Sequence, residues 1–209
     1  MAEQRPMRQF LLFVFVLLVP CFALWTMASA TLAMPATGLV NMLLKSWFPD
    51  VVEGVYVQGA DALLMTQFGE LQGRLVTPQA AAGSLGFKID TRILSYAIAF
   101  YTALHFATPR RDYLADYLWG LVLIYPFIVL GLLCVCLKEL VVNLGATFLQ
   151  QPDVFVPPAD AIAVLFQLST LIVPTLVPAL VWLGQSRDTA LLRGLLPRIE
   201  PASKANQST

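Results

Sequence analysis

"SYAIAFYTALHFATPRRDYLADYLWGLVLIYPF", residues Ser95 to Phe127, holds the chain's single histidine, His105, inside an apolar run. Pro109, Arg110 and Arg111 follow, and a second apolar run begins after them. In water, two such runs would be core helices and His105 a first suspect for catalysis. In lipid, the same stretch is a helical hairpin turned back by a basic loop. The solvent around it decides the fold.

Composition answers that question. Of the 209 residues, 58% are hydrophobic and only 12% charged, and the mean hydropathy is +0.72. Soluble domains carry about a quarter charged residues, so a soluble chain of this length could not hide its apolar surface, whereas a bilayer covers it. The formal net charge is zero, which leaves no basic footprint for a nucleic-acid partner. Cys21, Cys134 and Cys136 all lie in apolar runs and read as small hydrophobes, not as a disulfide framework. The tail "PASKANQST" is polar and is expected to be disordered.

A spanning helix needs about 20 mostly apolar residues, because each residue rises about 1.5 Å and the hydrocarbon core is about 30 Å thick. Four runs are expected to span: Phe10 to Ala33, Ile93 to Ala107, Tyr117 to about Leu137, and about Ala161 to Leu183. The second is short and must thin the bilayer or borrow flanking residues. With the N-terminus inside, the cytoplasmic side carries Arg5, Arg8, Arg110, Arg111, Arg187, Arg193, Arg198 and Lys204 in short segments near the spans. Lys45, Arg74, Lys88, Arg92 and Lys138 fall on the other side, spread along far more chain. The positive-inside rule thus puts both termini in the cytoplasm. The start also resembles a cleavable signal peptide, with "ASA" at Ala28 to Ala30, but its apolar run is long and unbroken, and retention is the reading taken.

Four regions follow: residues 1–33, the cytoplasmic N-terminus and first span; 34–92, extracytoplasmic; 93–186, spans two to four; and 187–209, a cytoplasmic tail. Within 34–92, "VEGVYVQG" and "DALLMTQF" alternate and meet at Gly59 and Ala60, the pattern of a hairpin. "LQGRLV" offers a third strand, "TPQAAAGS" a loop, and "LGFKID" a strand with Leu85, Phe87 and Ile89 on one face. The expectation is a small antiparallel sheet of three or four strands. Ahead of it, Leu39, Met42, Leu43 and Trp47 share helical spacing. Two readings stay open there: an interfacial helix anchored by Trp47, or a tilted continuation of the first span.

The chemistry-bearing residues form no recognisable set. His105, with Tyr101 one turn before it, is expected near the cytoplasmic end of the second span as an anchor or packed polar group. A nucleophilic cysteine needs its base within hydrogen-bond reach, and the threading puts Cys134 and Cys136 at the opposite end of the membrane from His105. One histidine and two cysteines one residue apart cannot complete a zinc set, and there is no phosphate-cradling loop or serine elbow. No catalytic, metal or cofactor site is therefore assigned. Asp112, Asp116, Lys138 and Glu139 fall at span ends, where water reaches them, and not at the depth that marks an ion path. Gln167, Thr170, Pro174 and Pro178 recur at spacings of three and four, which predicts one face of the last helix, with Gln or Thr serving carbonyls that proline leaves free. That face suits either bundle packing or a seam for another membrane protein.

"LVPCFALW" in the first span, "KSWFPDVVEGVYVQG" after it and "FQLSTLIVPTLVPALVWLG" in the last, with the order of spans, resemble the exosortase H-associated membrane proteins. These are small bacterial inner-membrane proteins grouped with an exosortase, the integral-membrane peptidase that recognises a C-terminal sorting signal. The resemblance spans about residues 8 to 186 and implies an accessory role, with no family site residues to carry over. It implies an exosortase as membrane partner beside lipid, and it leaves a homo-oligomer open. The expected contacts are Trp47, Tyr56, Gln167 and Pro174. The competing readings are a small transporter or lipid-handling enzyme using His105 with Tyr101 and Arg110, and an assembly factor for a pilus or polysaccharide export machine.

Overall fold

Residues Gln4 to Trp47 form one helix, α1, without a break. This emerges from a computed structural model of the protein, which describes residues 4–72, 74–81, 83–109, 113–151, 154–187 and 189. At about 1.5 Å per residue α1 is roughly 66 Å long, more than twice a hydrocarbon core. The second half is therefore continuous with the first span's helix and not a separate helix. Two apolar stripes run along that half, in different surroundings. Ala36, Val40, Leu44 and Phe48 are buried, whereas Leu39, Met42 and Leu43 are exposed.

The buried stripe carries the β unit. Strands β1 (Val52–Gln58) and β2 (Asp61–Thr66) form the expected hairpin, closed at Gln58↔Asp61. Gly59, at φ 64°, supplies the left-handed turn that residues with a side chain resist. The stretch predicted as one third strand is a small hairpin of its own, β3 (Gly69–Leu71) with β4 (Arg74–Val76), turned at Gln72 with φ 52°. The expected loop after it contains a single helical turn, α2 (Pro78–Ala81). Strand β5 (Gly86–Asp90) returns to the far side of β2, giving the order β1-β2-β5. Val55, Ala62, Leu64 and Ile89 are buried in the core that includes Val40, Leu44 and Phe48 of α1. The Asn41 side-chain oxygen accepts the Val55 N–H at 2.9 Å, so the helix also closes part of the sheet's free edge.

Helix α3 (Arg92–Ala107) runs back antiparallel to α1. The Trp25 indole N–H donates to Ser95 Oγ at 3.2 Å near one end, and Leu104 and Ala107 meet Phe10 and Val14 at the other. Helix α4 (Tyr113–Leu144) climbs again. The Tyr125 hydroxyl donates to the Leu32 carbonyl at 3.1 Å, and Gly131 admits Leu94 so closely that a Cβ there would lie 2.7 Å from its methyl. Gly145, at φ 53° and ψ −124°, turns the chain into the short α5 (Ala146–Leu149). The last helix descends as α6 (Ala159–Gln167), a π turn (Leu168–Ile172) and α7 (Val173–Ser186). Thr170 Oγ1 and Ser169 Oγ both donate to the Phe166 carbonyl, at 2.7 and 3.1 Å, just before Pro174. Hydroxyls thus serve a carbonyl where the regular ladder is disturbed, as in other apolar helices with proline.

Among the described residues, three helices are long and apolar enough to cross a membrane: Arg8–Trp47, Tyr113–Leu144 and Ala159–Ser186. Helix α3, at 16 residues, is shorter and lies mostly buried among the other three. Arg110, Arg111 and Asp112 of the expected basic turn, and the tail, lie outside the described residues.

Candidate functional site

The most concentrated polar chemistry lies at the end of the bundle away from the sheet. His105 is fully buried. Its Nε2–H donates to the Tyr113 carbonyl at 2.9 Å, on the first turn of α4. Its Nδ1 lies 3.3 Å from the Tyr101 hydroxyl. That hydroxyl donates to Gln185 Oε1 at 2.8 Å and sits 3.2 Å from the Asp116 carbonyl, which also accepts Gln185 Nε2–H at 2.8 Å. Tyr101 and Tyr117 stack nearly parallel at 5.7 Å, and the Thr102 and Tyr117 hydroxyls are 3.0 Å apart. Trp182 completes the cluster: its indole N–H donates to Thr108 Oγ1 at 2.8 Å and its ring stacks on Phe10 at 5.2 Å.

This network joins α3, α4 and α7 by bonds that a polar group buried in apolar surroundings must make. It includes Gln185, which the sequence reading passed over. An amide at the end of an apolar helix was the available signal. The cysteines are far from it. Cys134 and Cys136 lie more than 20 residues up α4 from Tyr113, or about 30 Å at 1.5 Å per residue, so His105 cannot serve either as a base. Among the described residues, no three His, Cys, Asp or Glu side chains are grouped to hold a metal ion.

The other end carries charge. Lys88 pairs with Asp61 at 2.8 Å, and Arg92 with Asp90 at 2.9 Å. Burial raises the Asp90 pKa, but hydrogen bonds from the Arg92 side chain and backbone, with the charges of Arg92 and Lys88, outweigh it and hold the carboxyl below its usual value. On α4, Lys138 pairs with Glu139 at 2.8 Å and lies over the Phe166 ring at 5.4 Å.

The four expected contact residues separate. Trp47 stacks on Phe48 at 4.9 Å and donates its indole N–H to the Phe155 carbonyl at 3.1 Å, beside the highly exposed Phe155 ring. Tyr56 is exposed on β1, where its ring covers Gly54. Gln167 is exposed at the end of α6, whereas Thr170, Pro174 and Pro178 are buried. The expected common face therefore splits at the π turn. Pro174 packs near Leu94, Ala97 and Ile128 inside the bundle, so any influence it has on a partner passes through the shape of α7.

These features define a multi-pass helical membrane protein that carries a small antiparallel β unit on one end. The chain belongs to the exosortase H-associated membrane protein family, whose model matches residues 4–189. No curated protein and no solved structure matches it.

Proposed function

We propose that the protein is a non-catalytic accessory subunit of an exosortase system, which binds the exosortase in the bacterial inner membrane and helps assemble it or present its substrate. The family's name supports association with an exosortase. The observation that carries the rest is the seating of the β unit. Its buried strands rest on Val40, Leu44 and Phe48 of α1, and Leu140 and Leu144 of α4 with Phe148 of α5 close the same core. A sheet this small is marginal alone, and here it is seated on the ends of two long apolar helices. Half-buried Trp47, with exposed Tyr56 and Gln167, makes up the contacts proposed on that side. His105 and its network serve as the stitch that holds α3, α4 and α7 together.

In this reading α3 is a fourth crossing, with Arg92 at one end and Arg110 and Arg111 at the other. Its roughly 24 Å of helix is matched by local thinning and by flanking residues. The sheet then faces outward and both termini face the cytoplasm. Single cysteines at Gly83 and Arg187, in a chain whose three native cysteines are alanine, test this on intact spheroplasts. An impermeant thiol reagent is expected to label Gly83→Cys and not Arg187→Cys. The reverse result would refute the orientation.

The direct test of function is recovery of the co-expressed exosortase from mild-detergent extracts of native membranes, with the tagged full chain as bait. Stoichiometric recovery is expected. A bait that comes out intact and alone would end the accessory reading.

A further inference from the structure

The last helix is held firmly at one end and lightly at the other. Helix α7 is tied to the bundle through Trp182, bonded to Thr108 at 2.8 Å, and Gln185, bonded to the Asp116 carbonyl at 2.8 Å. Pro174, Pro178 and Ser186 are buried along it. Helix α6, by contrast, buries only Ile162 of its nine residues, and Ala161, Val164, Leu165 and Gln167 are exposed. The chain leading into α6 is also lightly tied. Val154 and Val156 are half-buried against the core, while Phe155 between them is 74% exposed. The Phe155 carbonyl takes the Trp47 indole N–H at 3.1 Å.

The joint between the two parts is the π turn, Leu168–Ile172. There the Val173 N–H reaches back five residues to the Leu168 carbonyl, and not four as in an α-helix. One inserted residue turns everything before it by about 100° relative to a continuous helix. Pro174 has no N–H, so the rung it would make to the Thr170 carbonyl, four residues back, is missing. The Ser169 and Thr170 hydroxyls serve the Phe166 carbonyl instead, a back-bonding that bends helices. A π turn beside a proline is where long helices kink and where hinges are found.

We propose that this turn is a hinge, about which residues 154–167 move as a strap while α7 stays fixed. Closed, as in this structure, the strap lies over the seat of the β unit. Trp47, which holds Phe155, stacks on Phe48, and Phe48 meets Phe148. Phe148 is fully buried and anchors the chain before the strap. Besides the apolar contacts of Val154, Val156, Ile162 and Phe166, two directed contacts latch it. One is the Trp47 bond to the Phe155 carbonyl, and the other is Lys138 over the Phe166 ring at 5.4 Å. Trp47 and Lys138 are both half-buried, and contacts of this kind at partly exposed sites are weak. The hinge thus gives the seat of the sheet two states, covered and uncovered. It belongs to the free protein, whatever partner the protein has.

Double electron–electron resonance on the purified full chain in lipid nanodiscs tests this. In a chain whose three native cysteines are alanine, nitroxides at Val142→Cys on α4 and Val164→Cys on α6 report the strap. Val122→Cys on α4 and Leu180→Cys on α7 form the reference pair, and all four positions are exposed. Two distances are expected for the strap pair and one for the reference pair. Trp47→Phe keeps an aromatic ring on Phe48 and loses the N–H donor. It is expected to raise the displaced population over the closed one about fivefold, the worth of one hydrogen bond. Pro174→Ala restores the missing N–H and is expected to shrink the displaced population. A single distance for the strap pair, unchanged by Trp47→Phe, would overturn the hinge. So would two distances in both pairs, which would make the whole bundle loose, or a displaced population that neither substitution moves.

Discussion

Gly120→Ala is expected to destabilise the bundle by about 2–4 kcal/mol, because the added Cβ would overlap the hydroxyl end of Tyr101. Tyr101 cannot retreat easily. It is fully buried, stacked on Tyr117, and bonded to Gln185. Overpacking of a filled core costs about 1–3 kcal/mol, and each hydrogen bond lost between membrane helices adds about 0.6. Those two contributions make up the expected loss, with steric overlap the larger. Unfolding in mixed micelles of increasing denaturing-detergent fraction measures it. Gly184→Ala is the control: it lies in α7, one residue before Gln185, with nothing within 4 Å of its Cβ position. It should be neutral or slightly stabilising, since alanine in a helix interior gains about 0.5–1 kcal/mol over glycine. Tyr101→Leu removes the obstructing ring, so combined with Gly120→Ala it should cost less than the sum of the two by about 1 kcal/mol or more, as contacting residues couple. Additive costs would show that Gly120 does not make room for Tyr101.

The same pair shows how far sequence reasoning reaches. The apolar helices were legible because lipid leaves a chain few alternatives: every backbone polar group must be satisfied within the segment. The expected starts and ends of the spans fall inside the helices observed. The network at His105 was legible only in its local half, Tyr101 one turn from His105. Its other half depends on Gln185, which is 69 residues from Asp116 in sequence, and on a backbone carbonyl, which carries no side-chain signature. The stripe of α1 that holds the sheet was missed for a different reason. Both Leu39–Leu43–Trp47 and Val40–Leu44–Phe48 repeat at helical spacing, and periodicity cannot say which of two apolar faces meets protein. The small β3–β4 hairpin was hidden because three-residue strands carry too little pattern, although the Gln72–Gly73 pair between them is a turn signal.

Phe48→Ala is expected to release the β unit while leaving the helix bundle assembled. Phe48 is fully buried where α1, the first strand and α5 meet. Its ring stacks on Trp47 at 4.9 Å and tilts against Phe148 at 5.1 Å, and its carbonyl accepts the N–H groups of Val51 and Val52 at 3.1 and 2.9 Å. Removing a buried phenylalanine costs about 3–5 kcal/mol. Every 1.4 kcal/mol is a factor of ten in an equilibrium, so the opening of the unit should rise by roughly 100-fold to 4,000-fold. Trypsin cleavage at Lys88, within β5, reads that opening when reclosing is fast, with Met42→Ala on the exposed face of α1 as the unchanged control. Equal cleavage in Phe48→Ala and Met42→Ala would mean that the sheet is held by something other than this contact. The bundle's own core near Tyr101 is untouched, so the unfolding curve of the spans should keep its midpoint. The two substitutions therefore divide the molecule by function. If the sheet is what presents substrate, Phe48→Ala should still co-purify with the exosortase but fail to support processing, whereas Gly120→Ala, which loosens the helices themselves, should lose both.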